Sequence, residues 1–181
     1  MVNHRSSYLR VTALMMLLAT VIAGCSTCPV GQEIVIPSSD GTGPSLVMDF
    51  HLPNGSIVTV TPGSTTSTVA VPGGGKVTVI VNAKDGEGVQ DAQIWAAGIT
   101  WTTDPTTGIT TRSGPGLLGA PTASNPDSRG PGAKGCTERV VSQNLEVHST
   151  PRGGASYEVS ARGLNFGGRD VSTLLVRLQA Q

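Results

Sequence analysis

The 181 residues carry little charge and few aromatic rings. Only 13% are Asp, Glu, Lys or Arg, about half the usual share. Bases and acids balance at 12 each. With no basic surplus there is nothing to displace counterions from a phosphate backbone, so nucleic acid is excluded as a partner. Histidine is scarce as well. Beyond the first 24 residues only His51 and His148 remain, on two different predicted strands, and no third zinc ligand presents itself. They read as ordinary edge or surface side chains. The chain has no Gly-x-Ser-x-Gly elbow, no His-Glu-x-x-His helix and no phosphate-cradling glycine loop. The glycines at 73–75 lie between two predicted strands and open no helix, so they read as a turn. These absences leave no catalytic residue, no metal and no cofactor to assign.

Long apolar runs are missing too, with one exception. Residues 11–23 (VTALMMLLATVIA) follow a start that carries Arg5 and Arg10 and no acid. A basic start, a short apolar stretch and a small-residue cut site make a secretory signal. The stretch is short for a bilayer span, which needs about 20 residues, although a noncleaved signal anchor is the alternative. Ile22-Ala23-Gly24-Cys25 resembles the lipobox of bacterial lipoproteins: an aliphatic residue, two small residues and a cysteine. The resemblance covers the first 25 residues. It implies a diacylglyceryl group on the Cys25 sulfur, cleavage between Gly24 and Cys25, and often acylation of the new amino terminus. Two or more acyl chains make a stable anchor where one is marginal. The same resemblance, with Ser26 where an Asp would favour the inner membrane, points to the outer membrane. A cysteine placed there by chance is the alternative.

Cleavage leaves 157 residues, Cys25 to Gln181, enough for one domain with loops. It removes two arginines and no acid, so 10 bases against 12 acids leave a formal charge of −2. Cys28 and Cys136 are the other cysteines. In an oxidising compartment a Cys28–Cys136 disulfide is expected, tying the membrane-proximal end to a long loop; two unpaired thiols are the alternative.

The body is dominated by Gly, Ser, Thr, Val and Pro, a composition that favours strands and turns over helices. Residues 25–33 read as a lipidated tether, and 34–181 as the folded domain. A short β-prone stretch at 30–36 stops at Pro37. Strands at 46–52 and 57–61 flank the turn Pro53-Asn54-Gly55 as a hairpin. After a short strand at 68–71, residues 76–84 place Val77, Val79, Val81 and Ala83 on one face by strict alternation. Residues 89–97 return with Ala92, Ile94 and Ala96 on one face and Trp95 on the other. From about 98 to 135 the alternation dissolves into Gly, Pro, Ser, Thr and Asn. That length of insertion is a functional loop, a partly disordered segment or a pair of irregular hairpins. Further strands are predicted at 140–148, 156–161 and 171–178. Short strands, no helix after the signal and frequent turns predict an all-β antiparallel sandwich with a long irregular insertion.

Residues 79–94 (VIVNAKDGEGVQDAQI) and 157–178 (YEVSARGLNFGGRDVSTLLVRL) resemble bacterial immunoglobulin-like domains. In those domains an Ala-x-Asp strand end leads through a Gly turn to a Val-led strand. Later an aromatic strand leads through a Gly-Asn-type turn to the last strand. The resemblance spans about 68–178 without the insertion. Two features depart from it: Gly163 stands where an acid is usual, and no cysteine pair bridges the sheets. It implies an immunoglobulin-like sandwich used as a spacer, an adhesion module or a carbohydrate- or protein-binding platform.

Asp85, Glu87 and Asp91 surround one turn and supply oxygen ligands that suit calcium. Their spacing lacks the density of a calcium loop, so a solvated turn is the plainer reading. Trp95 and Trp101 are either exposed rings for stacking on sugars and anchoring an interface, or rings covered by the insertion. The sequence thus points to a lipid-anchored cell-envelope protein, in the cell membrane or the outer membrane, facing the periplasm or the surface. Its sandwich is expected to be a noncatalytic binding, spacer or structural module whose partner is the membrane. The alternative is an adhesion module that docks an envelope protein or glycan through 98–135, Trp95 and Trp101. An envelope hydrolase without a recognised motif is the third reading.

Overall fold

The computed structural model describes residues 28–38, 41–113, 120–150, 153–173 and 175–181. The signal, Gly24 and Cys25 lie outside the described residues, as does Leu174. Every regular element among the described residues is a strand. In chain order these are β1 (Glu33–Val35), β2 (Ser45–His51), β3 (Ile57–Val60), β4 (Thr68–Val71), β5 (Gly75–Lys84), β6 (Val89–Thr103) and β7 (Thr110–Ser113). Then follow β8 (Ala123–Ser124), β9 (Lys134–Cys136), β10 (Glu138–Thr150), β11 (Gly153–Asn165), β12 (Asp170–Ser172) and β13 (Val176–Ala180).

Two layers form. One sheet runs β3-β2-β5-β10, with every pair antiparallel. The other runs β6-β11-β13-β4, antiparallel except for the parallel pair β13–β4. The β10–β11 hairpin joins the layers. Strands β5 and β10 stand as B and E of an immunoglobulin-like sandwich, and β6, β11 and β13 stand as C, F and G. The fold is therefore the antiparallel sandwich that alternation predicts. On β5 the alternation is complete: Val77, Val79, Val81 and Ala83 are fully buried. Phe50 and Met48 from β2, Ile94 from β6, Val159 and Ala161 from β11, and Val176 and Leu178 from β13 meet them between the layers. Each of these Val, Ile, Leu, Met and Phe side chains, fully buried, contributes about 1.5–3 kcal/mol.

Three elements differ most from the sequence reading, one of them β11, which runs from Gly153 to Asn165 where 156–161 is expected. Strand β6 runs on to Thr103 rather than stopping near Ala97, because β11 continues to pair with it as far as Ala155↔Thr100 and β7 pairs beyond. Thr and Trp sustain this stretch with little apolar alternation to announce it. The closing strand is split into β12 and β13, although Thr173 between them still exchanges hydrogen bonds with Ala161.

The insertion thus begins as a β6–β7 hairpin. Its turn is set by Asp104, whose carboxylate accepts the Thr106 and Thr107 amides at 2.7 and 3.2 Å. After residue 120 the chain becomes a strap along the free edge of β6. Thr122, Asn125 and Asp127 donate their amides to the carbonyls of Ile94, Ala92 and Gln90. Asn125 also donates to the Asp91 carboxylate at 3.1 Å.

The strap crosses to the other layer through buried charge. Arg139 on β10 is 3% exposed and donates to the carboxylate of Asp127, itself 6% exposed. Arg129 holds the same carboxylate from the strap's far side, through Nε at 2.8 Å and its own amide at 3.1 Å. The Arg129 side-chain hydrogen bond, more than the charge of Arg139, keeps Asp127 below the usual carboxylate range despite burial.

Asp127→Ala is expected to cost about 3–5 kcal/mol in urea unfolding, because it strands a buried guanidinium. Arg139→Ala should cost less, since Arg129 still partners Asp127. The depressed folded-state value gives a sign for pH. Stability from Asp127 is fully present above its unfolded pKa of about 3.9 and is lost as pH falls through the lower folded value. Melting temperatures measured down this acid limb should fall more steeply for the wild type than for Asp127→Asn.

Candidate functional site

The sandwich has two unlike ends. Strand β5 spans ten residues, about 33 Å, between them. At the Lys84 end the chain turns through Asp85–Gly88, and the N-terminal segment joins the body. At the Gly75 end lie the Pro53–Ser56 turn, the β6–β7 hairpin and the C-terminus, where Gly73 donates its amide to the Gln181 carbonyl at 2.8 Å.

Cys28 and Cys136 are bonded, with Cα atoms 5.4 Å apart across a sequence separation of 108. The surrounding backbone fits this link. Strand β1 pairs antiparallel with β9, with Glu33 opposite Cys136 and Val35 opposite Lys134. Thr137 donates its amide to the Gln32 carbonyl at 2.9 Å, and Ile36 donates to Ala133 at 2.9 Å. Lys134 and Glu33 form an exposed ion pair at 2.6 Å.

Packing then seats this ribbon on the body. Ile36 is 1% exposed. A Cβ on Gly135 would come within 2.7 Å of the Ile36 side chain and 3.3 Å of Phe166. Gly88 has φ +109°, and a Cβ there would meet Ile34 and Phe166 at 3.1 Å. Ile34, Ile36 and Phe166 therefore close over two positions that only glycine fills without strain. Phe166 is the ring that joins the ribbon to the β5–β6 turn.

Beside the ribbon is a polar cleft of about 320 Å³, lined by Gln32, Ser45, Lys84, Asp85, Gly86, Thr137 and Glu138. Glu138 accepts from Asn82 at 2.5 Å and from Gln32, and it pairs with Lys84 at 3.2 Å. These bonds, that of Asn82 foremost, hold its carboxyl below the ordinary range. Asp85 caps its turn by accepting the Glu87 amide at 2.9 Å. The calcium reading needs Asp85, Glu87 and Asp91 to converge. Asp91 instead faces Gln93, whose Nε2 donates at 2.7 Å, and the strap at Asn125. Among the described residues no three His, Cys, Asp or Glu side chains gather as ligands for a metal. His51 and His148 sit at the Gly75 end, His51 opposite Thr78 of β5 and His148 opposite Ala155 in the β10–β11 hairpin.

Trp95 is half-buried on β6, on the face away from Ala92 and Ile94, and its Nε1 donates to Gln93 Oε1 at 3.1 Å. Trp101 lies six residues further along the same strand, opposite Arg112 of β7. That places it near the end remote from the disulfide. The structure thus separates what the sequence listed together: the cysteines mark one end, Trp101 marks the other, and Trp95 lies between. The ribbon-seating glycines and the Asp127–Arg139 pair escape sequence reading. The signal available for the former was a turn-like Gly135 beside a cysteine.

No known family model matches the chain, and no curated protein matches it. Among solved structures it is similar to the crystal structure of Spo0M, the sporulation control protein of Bacillus subtilis. Identity is 16% over 76% of this chain and 50% of that one, with a TM-score of 0.29. The chain spans half of that protein's length, and at this similarity no role transfers from it.

Gly135→Ala is expected to unseat the ribbon at an overpacking cost of about 1–3 kcal/mol. The check is thermal unfolding together with amide exchange. Exchange should quicken at 33–36 and 133–137 while the β5 core stays protected.

Proposed function

We propose that this chain is a bacterial lipoprotein of the cell envelope, anchored through acyl chains on Cys25, whose sandwich is a noncatalytic binding or spacing module. The observation that carries the reading is the position of the disulfide. Cys28 lies three residues after the lipobox cysteine and is bonded to the body at Cys136. A structural disulfide suits an exported protein, since reducing compartments keep thiols free. The lipobox supplies the address, and the bond joins the anchored end to a rigid fold.

The adhesion reading has one supporting feature. The β6–β7 hairpin, which carries Trp101, stands at the end remote from the anchor, where an envelope protein or glycan has access. Trp95 is a weaker contact for such a partner, because it is half-buried and already bonded to Gln93. Loss of binding in Trp101→Ala with retention in Trp95→Ala is the pattern expected of a hairpin-tip contact.

Intact mass of the protein extracted from membranes tests the anchor. The expected mass is that of residues 25–181 plus two or three acyl chains, and Cys25→Ala should lack them and stay at the unprocessed length. An unacylated wild type, full-length or cut elsewhere, would overturn the reading.

A further inference from the structure

We propose that the β1–β9 end of the sandwich rests on the lipid surface, with Val30 and Val35 as its interfacial contacts. The inference builds on acylation at Cys25. Only Ser26 and Thr27 lie between Cys25 and Cys28, and the three backbone steps reach at most about 11 Å when fully extended. A headgroup layer is about 5–8 Å thick on each side of the hydrocarbon core. A flexible tether of ordinary length would let the domain tumble clear of the membrane. Here the Cys28–Cys136 bond fixes the end of a two-residue leash to the body. Ile34, Ile36 and Phe166 then keep the ribbon from peeling away. The body has no slack with which to turn another face to the bilayer.

The side chains at this end suit that contact. Val30 is 105% exposed and sits in the tight turn closed by the Gln32 amide on the Pro29 carbonyl, with Gly31 at φ +82°. An aliphatic residue at a turn tip gains nothing from the fold. Val35 is 67% exposed on β1, next to Lys134 on β9. Both lie within seven residues of Cys28, on the segment that the leash holds down. Lys134 has an apolar stem and an exposed ammonium, which fits a headgroup boundary. At the other end the described exposed aliphatic residues are Ile57 and Ile109, with Ile57 about the length of β5 away.

The test places a reporter at each end of the acylated protein. Val30→Trp and Ile57→Trp are made in the full chain, extracted from membranes and reconstituted in phosphatidylethanolamine–phosphatidylglycerol vesicles containing brominated lipids. Both positions are exposed, so neither substitution disturbs the core, and Ile57→Trp controls for tryptophan's own interfacial affinity. The fluorescence added at position 30 should shift to the blue and lose most of its intensity to the bromines. That added at position 57 should stay unquenched. Equal quenching at both positions, or none at position 30, in protein whose mass shows its acyl chains would overturn the docking while the anchor stands. Protein that carries no acyl chain would overturn the anchor and this inference together.

Discussion

Holding residue 28 beside residue 136 works against chain entropy, because they are 108 positions apart in sequence. A covalent link removes that loop's freedom from the unfolded chain, and for a loop this long the stabilisation is roughly 4–5 kcal/mol before any strain. The consequence reaches beyond stability. Antiparallel pairing of β1 with β9, seating of Ile36 on Gly135 and placement of Gln32 beside Glu138 all need the N-terminal segment at this one end. With the bond, the sandwich has a fixed near end and far end. Without it, a three-strand-residue ribbon on an exposed edge would have little to hold it.

The same logic applies to the side of the molecule. Strands β6 and β10 are where the two layers leave an open flank, and unpaired strand edges invite association with other chains. The strap at 122–127 covers the β6 edge with its amides, and Asp127 ties it across to Arg139 on β10. A buried ion pair is a poor source of net stability but a strong source of register, because any other placement strands a charge. The insertion therefore divides into two parts with different work. Its first part projects as the β6–β7 hairpin, and its second part seals the flank.

The sandwich was legible in the sequence because its core strands alternate. Val77, Val79, Val81 and Ala83 announce β5, and Asn54-Gly55 announces the β2–β3 hairpin. The outer half of β6 was not legible. Thr100, Trp101, Thr102 and Thr103 are strand formers by branching and ring shape, yet they carry no period of two. The strap was hidden for a different reason: its hydrogen bonds use backbone amides, which leave no trace in residue type. The Asp127–Arg139 pair joins positions on separate elements, and no local pattern links them. The cysteines were legible as a pair because only two remain after the lipobox, whereas their seating by Gly88 and Gly135 depends on close approaches that exist only once the fold is built.

The position of the N-terminal segment depends on the Cys28–Cys136 bond being closed in the native protein. The direct measurement is alkylation of the natively produced protein under denaturing conditions before and after reduction, followed by peptide mass mapping. The account expects no label on Cys28 or Cys136 before reduction, with one linked peptide pair containing both. Alkylation of both residues without reduction would contradict it, and the placement of the N-terminal segment would lose its basis.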